Sequence, residues 1–310
     1  MRESAKKLDS RQLRNLAVIV QEGTFMRAAT VLNTSQPALS KSIRQLEYEV
    51  GAKLLERGRH GARPTVYGEA LVLRYKRIEA ELRGAVYDIE ALKGLSQGHL
   101  TIGATRTVAN ALVPTAVSAL KAAKPKIVVE IIEDRAAKLT EALKDGRLDV
   151  VVGPIYGDPV GTELAEEFLF ESQLVVVTRP GHPLTQRRRV TLSDLTAYQY
   201  VGSSADNTVA RQVQLLLKTA KLAGLDYAVQ SSSPQASKDI IRHSEYFGLM
   251  PEFRVEADIQ AHLLQSVKLK ADGNAWPFGV RWRRDVTPNP ALEAFVVHLK
   301  AASKRIGRHS

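Results

Sequence analysis

The chain has 310 residues, 44% of them hydrophobic, and a formal net charge of +11. That is enough for two or three packed domains with sizeable cores, and too much for one small module. The absence of cysteine excludes disulfides, thiolate nucleophiles, cysteine redox sensing and thiolate metal sites together. No run of about 18 apolar residues and no apolar signal segment behind the first charges occurs, so the sequence predicts a cytoplasmic chain with no membrane partner.

The charge is unevenly placed. Residues 1–64 hold 12 Lys and Arg against 6 Asp and Glu, a balance of +6, and the remaining residues carry +5. A fifth of the length thus has more than half the excess, which fits either a module that meets an anionic polymer or simply a basic soluble surface.

In chain order, Leu13, Leu16 or Ala17, and Val20 recur at helical spacing, and a second helix from Phe25 to Leu32 is expected after Gly23, with Thr24 as its N-cap. Residues 33–35 supply a turn. Ser35 caps the next helix, and Pro37 falls in the first turn, where a missing N–H does little harm. In that third helix, about 36–49, Leu39, Ile43 and Leu46 share one face, while Pro37, Lys41, Arg44 and Tyr48 lie opposite with Gln36 and Ser40 beside them. One face is core; the other offers donors and cations, as the recognition helix of a helix-turn-helix does to base edges in the major groove. A merely solvated face is the plain alternative. "GAKLLERGRHGARPT" then gives two extended runs around Gly58 and Gly61 with Arg59, His60 and Arg63 at or near the tip. A basic hairpin here reads as the wing of a winged helix-turn-helix, reaching phosphates or the minor groove.

The stretch "AATVLNTSQPALSKSIRQLEYEVGAKLLERGRHGARPTVYGEAL" resembles the DNA-binding domain of LysR-type transcriptional regulators. Ala28, Ala29, Leu32, Ser35, Gln36, Pro37, Leu39, Ser40, Ile43, Leu46, Glu47, Gly51, Leu54, Glu56, Arg57 and Gly68 stand in the family's order and spacing. "LLER" and "PTVYGEAL" depart slightly from the commoner "LFER" and "LTEAGEAL". The resemblance implies double-stranded promoter DNA as partner, with RNA polymerase beside it. Ser35, Gln36, Pro37, Ser40, Lys41, Arg44, Arg59, His60 and Arg63 are the expected DNA-binding residues: Gln36, Pro37 and Ser40 at bases, and Lys41, Arg44, Arg59 and Arg63 chiefly at the backbone.

From residue 66 Leu71, Tyr75, Ile78, Leu82, Ala85, Ile89 and Leu92 are spaced 4, 3, 4, 3, 4, 3, a heptad seam, and residues 65–95 carry five basic and five acidic side chains. The family resemblance implies a linker helix that dimerises antiparallel and sets the spacing of two DNA-binding heads, commonly within a homotetramer built as a dimer of dimers. "KGLSQGHL" breaks the helix.

Beyond Gly98 strands alternate with helices: "LTIGAT", a helix to Lys124, "KIVVEII", "AAKLTEALKDG" and "LDVVVGP". A second series runs from "QLVVVTRPGHPL" through "YQYVGSS", a helix at 207–223, "DYAVQ", a helix at 234–246 and "FGLMP". Both read as parallel α/β units. "FGVRW" at 278–282 and the C-terminal helix are expected to cross back to the first lobe. The arrangement resembles the family's periplasmic-binding-protein-like (type 2) effector domain. The expected fold class is α/β with four parts: a winged helix-turn-helix at 1–66, a dimerising linker helix at 67–95, lobe I at 99–168 with 270–310, and lobe II at 169–269.

Ligands of such folds bind between the lobes, against helix starts at the ends of parallel strands. "ATRTVAN" offers Thr105, Arg106 and Thr107; "GSSADNT" offers Ser203, Ser204, Asn207 and Thr208. Hydroxyl-rich helix starts are equally ordinary N-caps; the resemblance favours Thr105, Thr107 and Ser203 as contacts to a small-molecule effector, anionic or polyhydroxylated. Ala136 and Pro154 stand where members that sense aromatic carboxylates place further polar contacts. No cofactor, metal or catalytic residue is expected. His60, His99, His182, His243, His262, His298 and His309 are scattered and read as surface or turn residues, and no HExxH, GxSxG, phosphate-loop or dinucleotide motif occurs. The alternative reading is an α/β enzyme or solute-binding module with an appended DNA-binding domain.

Overall fold

The computed structural model describes residues 8–58, 61–93, 98–155, 161–203, 208–285 and 289–306. The chain divides into two compact units, residues 1–93 with 145–147 and residues 94–144 with 148–310.

In the first unit, α1 (Ser10–Glu22) starts on Asp9, whose carboxylate accepts the Arg11 N–H at 2.9 Å, and stops at Gly23 in the left-handed region. For α2 (Phe25–Val31) Thr24 Oγ1 accepts the Arg27 N–H, and for α3 (Gln36–Val50) Ser35 Oγ accepts the Ala38 N–H. Leu13, Leu16 and Ile19 of α1 close over Phe25, Ala28, Leu39, Ile43 and Leu46. Each fully buried Leu or Ile contributes about 1.5–3 kcal/mol of hydrophobic stabilisation. The buried stripe runs through Ile19, whereas Val20 is only partly covered: residues three apart are also neighbours on a helix.

Strands β1 (Leu55–Gly58) and β2 (Gly61–Pro64) pair antiparallel with Gly58 opposite Gly61. The Ala62 N–H donates to Gly23 O at 2.8 Å, and Gly61 (φ +116°) sits so close that an added Cβ would strike that carbonyl. Glu47, at the end of α3, is buried and accepts the Leu54 N–H at 2.9 Å, the Leu55 N–H at 3.4 Å and Lys53 Nζ at 3.0 Å. Burial pushes its pKa up, but the Leu54, Lys53 and Leu55 hydrogen bonds together outweigh this and hold the carboxyl below its ordinary range. Helix α4 (Val66–Leu92) packs Val72 and Tyr75 into the same core; beyond them Ile78, Leu82, Val86 and Ile89 are exposed, Leu82 at 62%.

The second unit begins with β3 (His99–Ala104), α5 (Arg106–Ala109), α6 (Leu112–Ala123), β4 (Val128–Glu133), α7 (Ala136–Lys144) and β5 (Val150–Pro154), followed by β6 (Leu164–Thr178). Then come β7 (Arg189–Thr191), α8 (Leu192–Leu195), β8 (Tyr200–Ser203), α9 (Thr208–Thr219), β9 (Tyr227–Ser231), α10 (Pro234–Arg242) and β10 (Phe247–Pro251). A turn at Glu252–Arg254 leads to α11 (Glu256–Gln260), β11 (Gln265–Lys270), β12 (Ala275–Arg283) and α12 (Pro290–Ile306). The sheet order is β4-β3-β5-β12-β6-β10-β8-β9, with β11 beside β6 and β7.

Parallel sets β4-β3-β5 and β10-β8-β9 form two lobes, joined by antiparallel β6 and β12. Strand β12 returns to the first lobe, Phe278 opposite Pro154 and Trp282 opposite Val150. Strand β6 runs unbroken through residues 168 and 169, where the sequence reading changed lobes. Only its last five residues, 174–178, form a continuous buried run; the ten before them alternate between more and less covered positions, so composition marks just the end of it. Phe170, Phe278 and Phe253 meet at the join, with Phe170 and Phe278 stacked at 5.0 Å. His182 is not a surface residue but a fully buried turn: its Nδ1 accepts the Leu184 N–H, leaving Nε2 to donate to Glu245 O at 3.1 Å.

Candidate functional site

Two surfaces hold the residues singled out from the sequence. On α3, Ser35, Gln36, Pro37, Lys41 and Arg44 are exposed and Ser40 is half-buried; Arg63 is exposed on β2. The Gln36, Lys41 and Arg63 side chains make no hydrogen bond or ion pair with the other described residues, and Arg44 Nε donates only to Ser40 O within its own helix. Capping by Ser35 and burial of Leu39, Ile43 and Leu46 fix the helix by its inner face, so this outer face is free to meet a ligand. Arg59 and His60 lie outside the described residues.

The second surface is a cleft between the lobes. Arg106, on α5, donates through Nε to Glu133 Oε1 at 2.7 Å and through Nη1 to Ser232 O at 2.6 Å, so one guanidinium ties the first lobe to the loop after β9. Thr107 (3% exposed) and Ser203 line a cavity of about 30 Å³ behind it, with Ser231, Ser237, Met250 and Arg254. A space of that size holds a water or two. Thr105 does not reach this cavity. It is buried against Gly153, where an added Cβ would meet its methyl at 2.9 Å; its N–H donates to Val152 O, and among the described residues its Oγ1 has no hydrogen-bond partner. Ser204 and Asn207 lie outside the described residues.

Sequence reading missed Ser231, Ser237 and Arg254. Ser231 carried a signal: "SSSP" is another strand end followed by a helix start, and Ser233 Oγ caps α10, which holds Ser237, through the Ala236 N–H at 3.3 Å. Arg254 carried none, because only the chain's return through β10 brings it beside Thr107 and Ser203. Burial is the main influence on its guanidinium and lowers its pKa; Glu133 raises it, Arg106 lowers it and Asp258 raises it again. Arginine nonetheless stays charged. Among the described residues no group of acidic and His side chains could hold a metal, and no helix is long and apolar enough to cross a membrane.

The family profile of the LysR substrate binding domain matches residues 93–304, and that of the bacterial regulatory helix-turn-helix protein, lysR family, matches residues 10–69. The chain belongs to the LysR family, and so is a transcriptional regulator with a DNA-binding and an effector-binding domain. An uncharacterised HTH-type regulator of Escherichia coli K12, YdcI, is 28% identical over 91% of this chain and 92% of its own. The SDS degradation transcriptional activation protein of a Pseudomonas species is 30% identical over 92% of this chain and 94% of its own. Among solved structures, a full-length OxyR variant from Pseudomonas aeruginosa has a TM-score of 0.67 at 20% identity, covering 96% of this chain and 95% of that one. CbnR, a LysR family regulator, has a TM-score of 0.66 at 18% identity, covering 96% of this chain and 99% of that one.

Proposed function

We propose that the protein binds promoter DNA through the exposed face of α3 and the β1–β2 wing, and that a small-molecule effector seated between the lobes changes how it does so. The observation that carries the DNA-binding reading is the outward face of α3: Gln36, Pro37, Lys41 and Arg44 project from a helix fully anchored by its opposite side. Gln36, Pro37 and Ser40 read bases, while Lys41, Arg44, Arg59, His60 and Arg63 meet the backbone. CbnR, similar in fold, has been solved with its target DNA.

The working parts are a head at 1–66, a linker helix at 67–95, lobe I at 99–168 with 270–310, and lobe II at 169–269. Exposed Ile78, Leu82, Val86 and Ile89 on α4 support pairing of two linker helices, and hence two heads on one roughly palindromic site, with a dimer of dimers as the full assembly. Thr107 and Ser203 contact the effector, with Arg106 at the rim. Thr105, Ser204 and Asn207 complete the loops that carry these contacts. RNA polymerase is the further partner, the setting is cytoplasmic, and no catalytic step, metal or resident cofactor is assigned.

Selection of bound sequences from a random duplex pool by the full-length protein tests the DNA reading. A two-fold related motif with half-sites about one helical turn or a multiple apart is expected. Enrichment of no motif would overturn it.

A further inference from the structure

The guanidinium of Arg254 stands out in the second unit. It is partly buried at the wall of the inter-lobe cavity, and among the described residues it makes no hydrogen bond and no ion pair. Its neighbour Arg106 is already engaged by Glu133 and Ser232 through Nε and Nη1, and Lys238 by the Arg254 carbonyl and Asp258. A planar fork of donors at a cavity wall, with no carboxylate or carbonyl among the described residues to donate to, is a ready partner for an anionic ligand. Arg254 lines the cleft cavity together with Arg106 and Thr107 of the first lobe. Thr107, Ser203, Ser231 and Ser237 supply hydroxyls around the same space.

The charge count selects the ligand. Arg106, Arg254 and Glu133 together leave the cleft one positive charge. One negative charge balances it; a phosphate, with nearly two, would overshoot beside Glu133. A carboxylate also matches the two-pronged geometry of a guanidinium. Resting on the cleft reading above, we propose that Arg254 is the anion-binding residue of the effector site, and that the effector is a small molecule bearing a single carboxylate, directed at that guanidinium. The cavity of about 30 Å³ is too small for the whole of such a molecule, so its arrival displaces Arg106 from Ser232 O and releases that tie from α5 to the opposite loop. The ligand thereby acts on the relative placement of the two lobes.

The test uses the full-length protein at constant ionic strength, with acetate and propionate as probes, acetamide and propionamide as their uncharged counterparts, and inorganic phosphate as the competing oxyanion class. The thermal midpoint of the wild type should rise with the carboxylates above the chloride reference, and not with the amides or phosphate. Arg254→Met should raise the apparent Kd for propionate about tenfold or more, with Arg254→Lys between it and the wild type, since a lysine keeps the charge but loses the fork. Arg305→Gln should leave it unchanged: Arg305 lines only a neighbouring, wider cavity of about 530 Å³ that Arg254 also borders.

Equal effects of acid and amide, stabilisation by phosphate alone, full binding in Arg254→Met, or loss in Arg305→Gln would each overturn the proposal. The wild-type comparison of acid with amide needs no variant to fold. If amides stabilise and Thr107→Ala abolishes their effect, the cleft is still the effector site and only the anion assignment fails. If carboxylates stabilise the wild type and Thr107→Ala, Ser203→Ala and Arg254→Met all bind them unchanged, the cleft itself is the wrong site.

Discussion

The two units hold their functional side chains in opposite ways. In the first, Gln36, Lys41 and Arg63 face solvent and bond to nothing else among the described residues. In the second, Thr107 is buried and Arg106 is already bonded to both lobes. An outward face is ready to meet a polymer without any change in fold, and its energetics are those of added contacts. An inward cleft must break existing bonds to admit anything, so binding there is tied to conformation, and a ligand shifts the equilibrium only by its differential affinity for the two arrangements.

This contrast is broken most severely by Ile43→Ala. Deleting a fully buried side chain of α3 should cost about 2–5 kcal/mol, confined to the first unit. Urea unfolding followed by a probe in each unit should show one transition moved and the other unmoved; movement of both would mean that the units do not respond separately. Next in size is Leu82→Asp. Leu82 is exposed in the single chain, so the monomer should lose little stability, whereas loss of linker pairing should lower operator affinity about 100-fold through lost bivalency. Sedimentation and DNA titration should fall together, and a fully oligomeric, normally binding variant would place the seam elsewhere.

Smaller effects separate the parts of the outward face. Gln36→Ala should relax base preference by about 1–3 kcal/mol, while Arg63→Ala should weaken all sequences alike and reduce the log–log salt slope by about one. The reverse assignment in a salt-dependent binding series would mean that α3 docks differently. Glu47→Gln should lower the stability of the first unit by about 1 kcal/mol at neutral pH. The folded-state pKa of Glu47 is depressed, so its contribution is present above the ordinary carboxylate pKa and is lost as pH falls through the depressed value. Wild type and variant should therefore converge in melting experiments only once the pH has fallen below that depressed value, and a gap that persists in that acid range would assign the effect to shape instead of charge.

How much was legible in the sequence follows the same division. The first unit is built from local patterns: Thr24 and Ser35 cap the helices that follow them, and Leu39, Ile43 and Leu46 recur at helical spacing, so inner and outer faces could be told apart within 20 residues. Even there Ile19 displaced Val20 from the core, since a stripe of threes and a stripe of fours look alike over so short a run. In the second unit each strand is visible but the site is not. Arg106, Ser231, Ser237 and Arg254 are separated by up to 148 residues and are brought together only by the sheet order and the return through β10 and β12. Thr105 shows the converse: it immediately precedes Arg106 and Thr107, but as the N-cap position between β3 and α5 it turns inward against Gly153, a packing across strands that local sequence does not show.

The coupling of cleft to DNA is tested most directly by titrating operator bending with a metabolite that stabilises the wild-type protein, in the wild type and in Thr107→Ala and Ser203→Ala, beside operator binding without it. Loss of one neutral hydrogen bond, about 0.5–1.5 kcal/mol, should raise the concentration needed roughly 2-fold to 13-fold in each variant. Effector-free operator binding should be unchanged. If both variants bend DNA at wild-type concentrations, the effector does not act through this cleft; if both lose operator binding outright, Thr107 and Ser203 hold the fold and not the ligand.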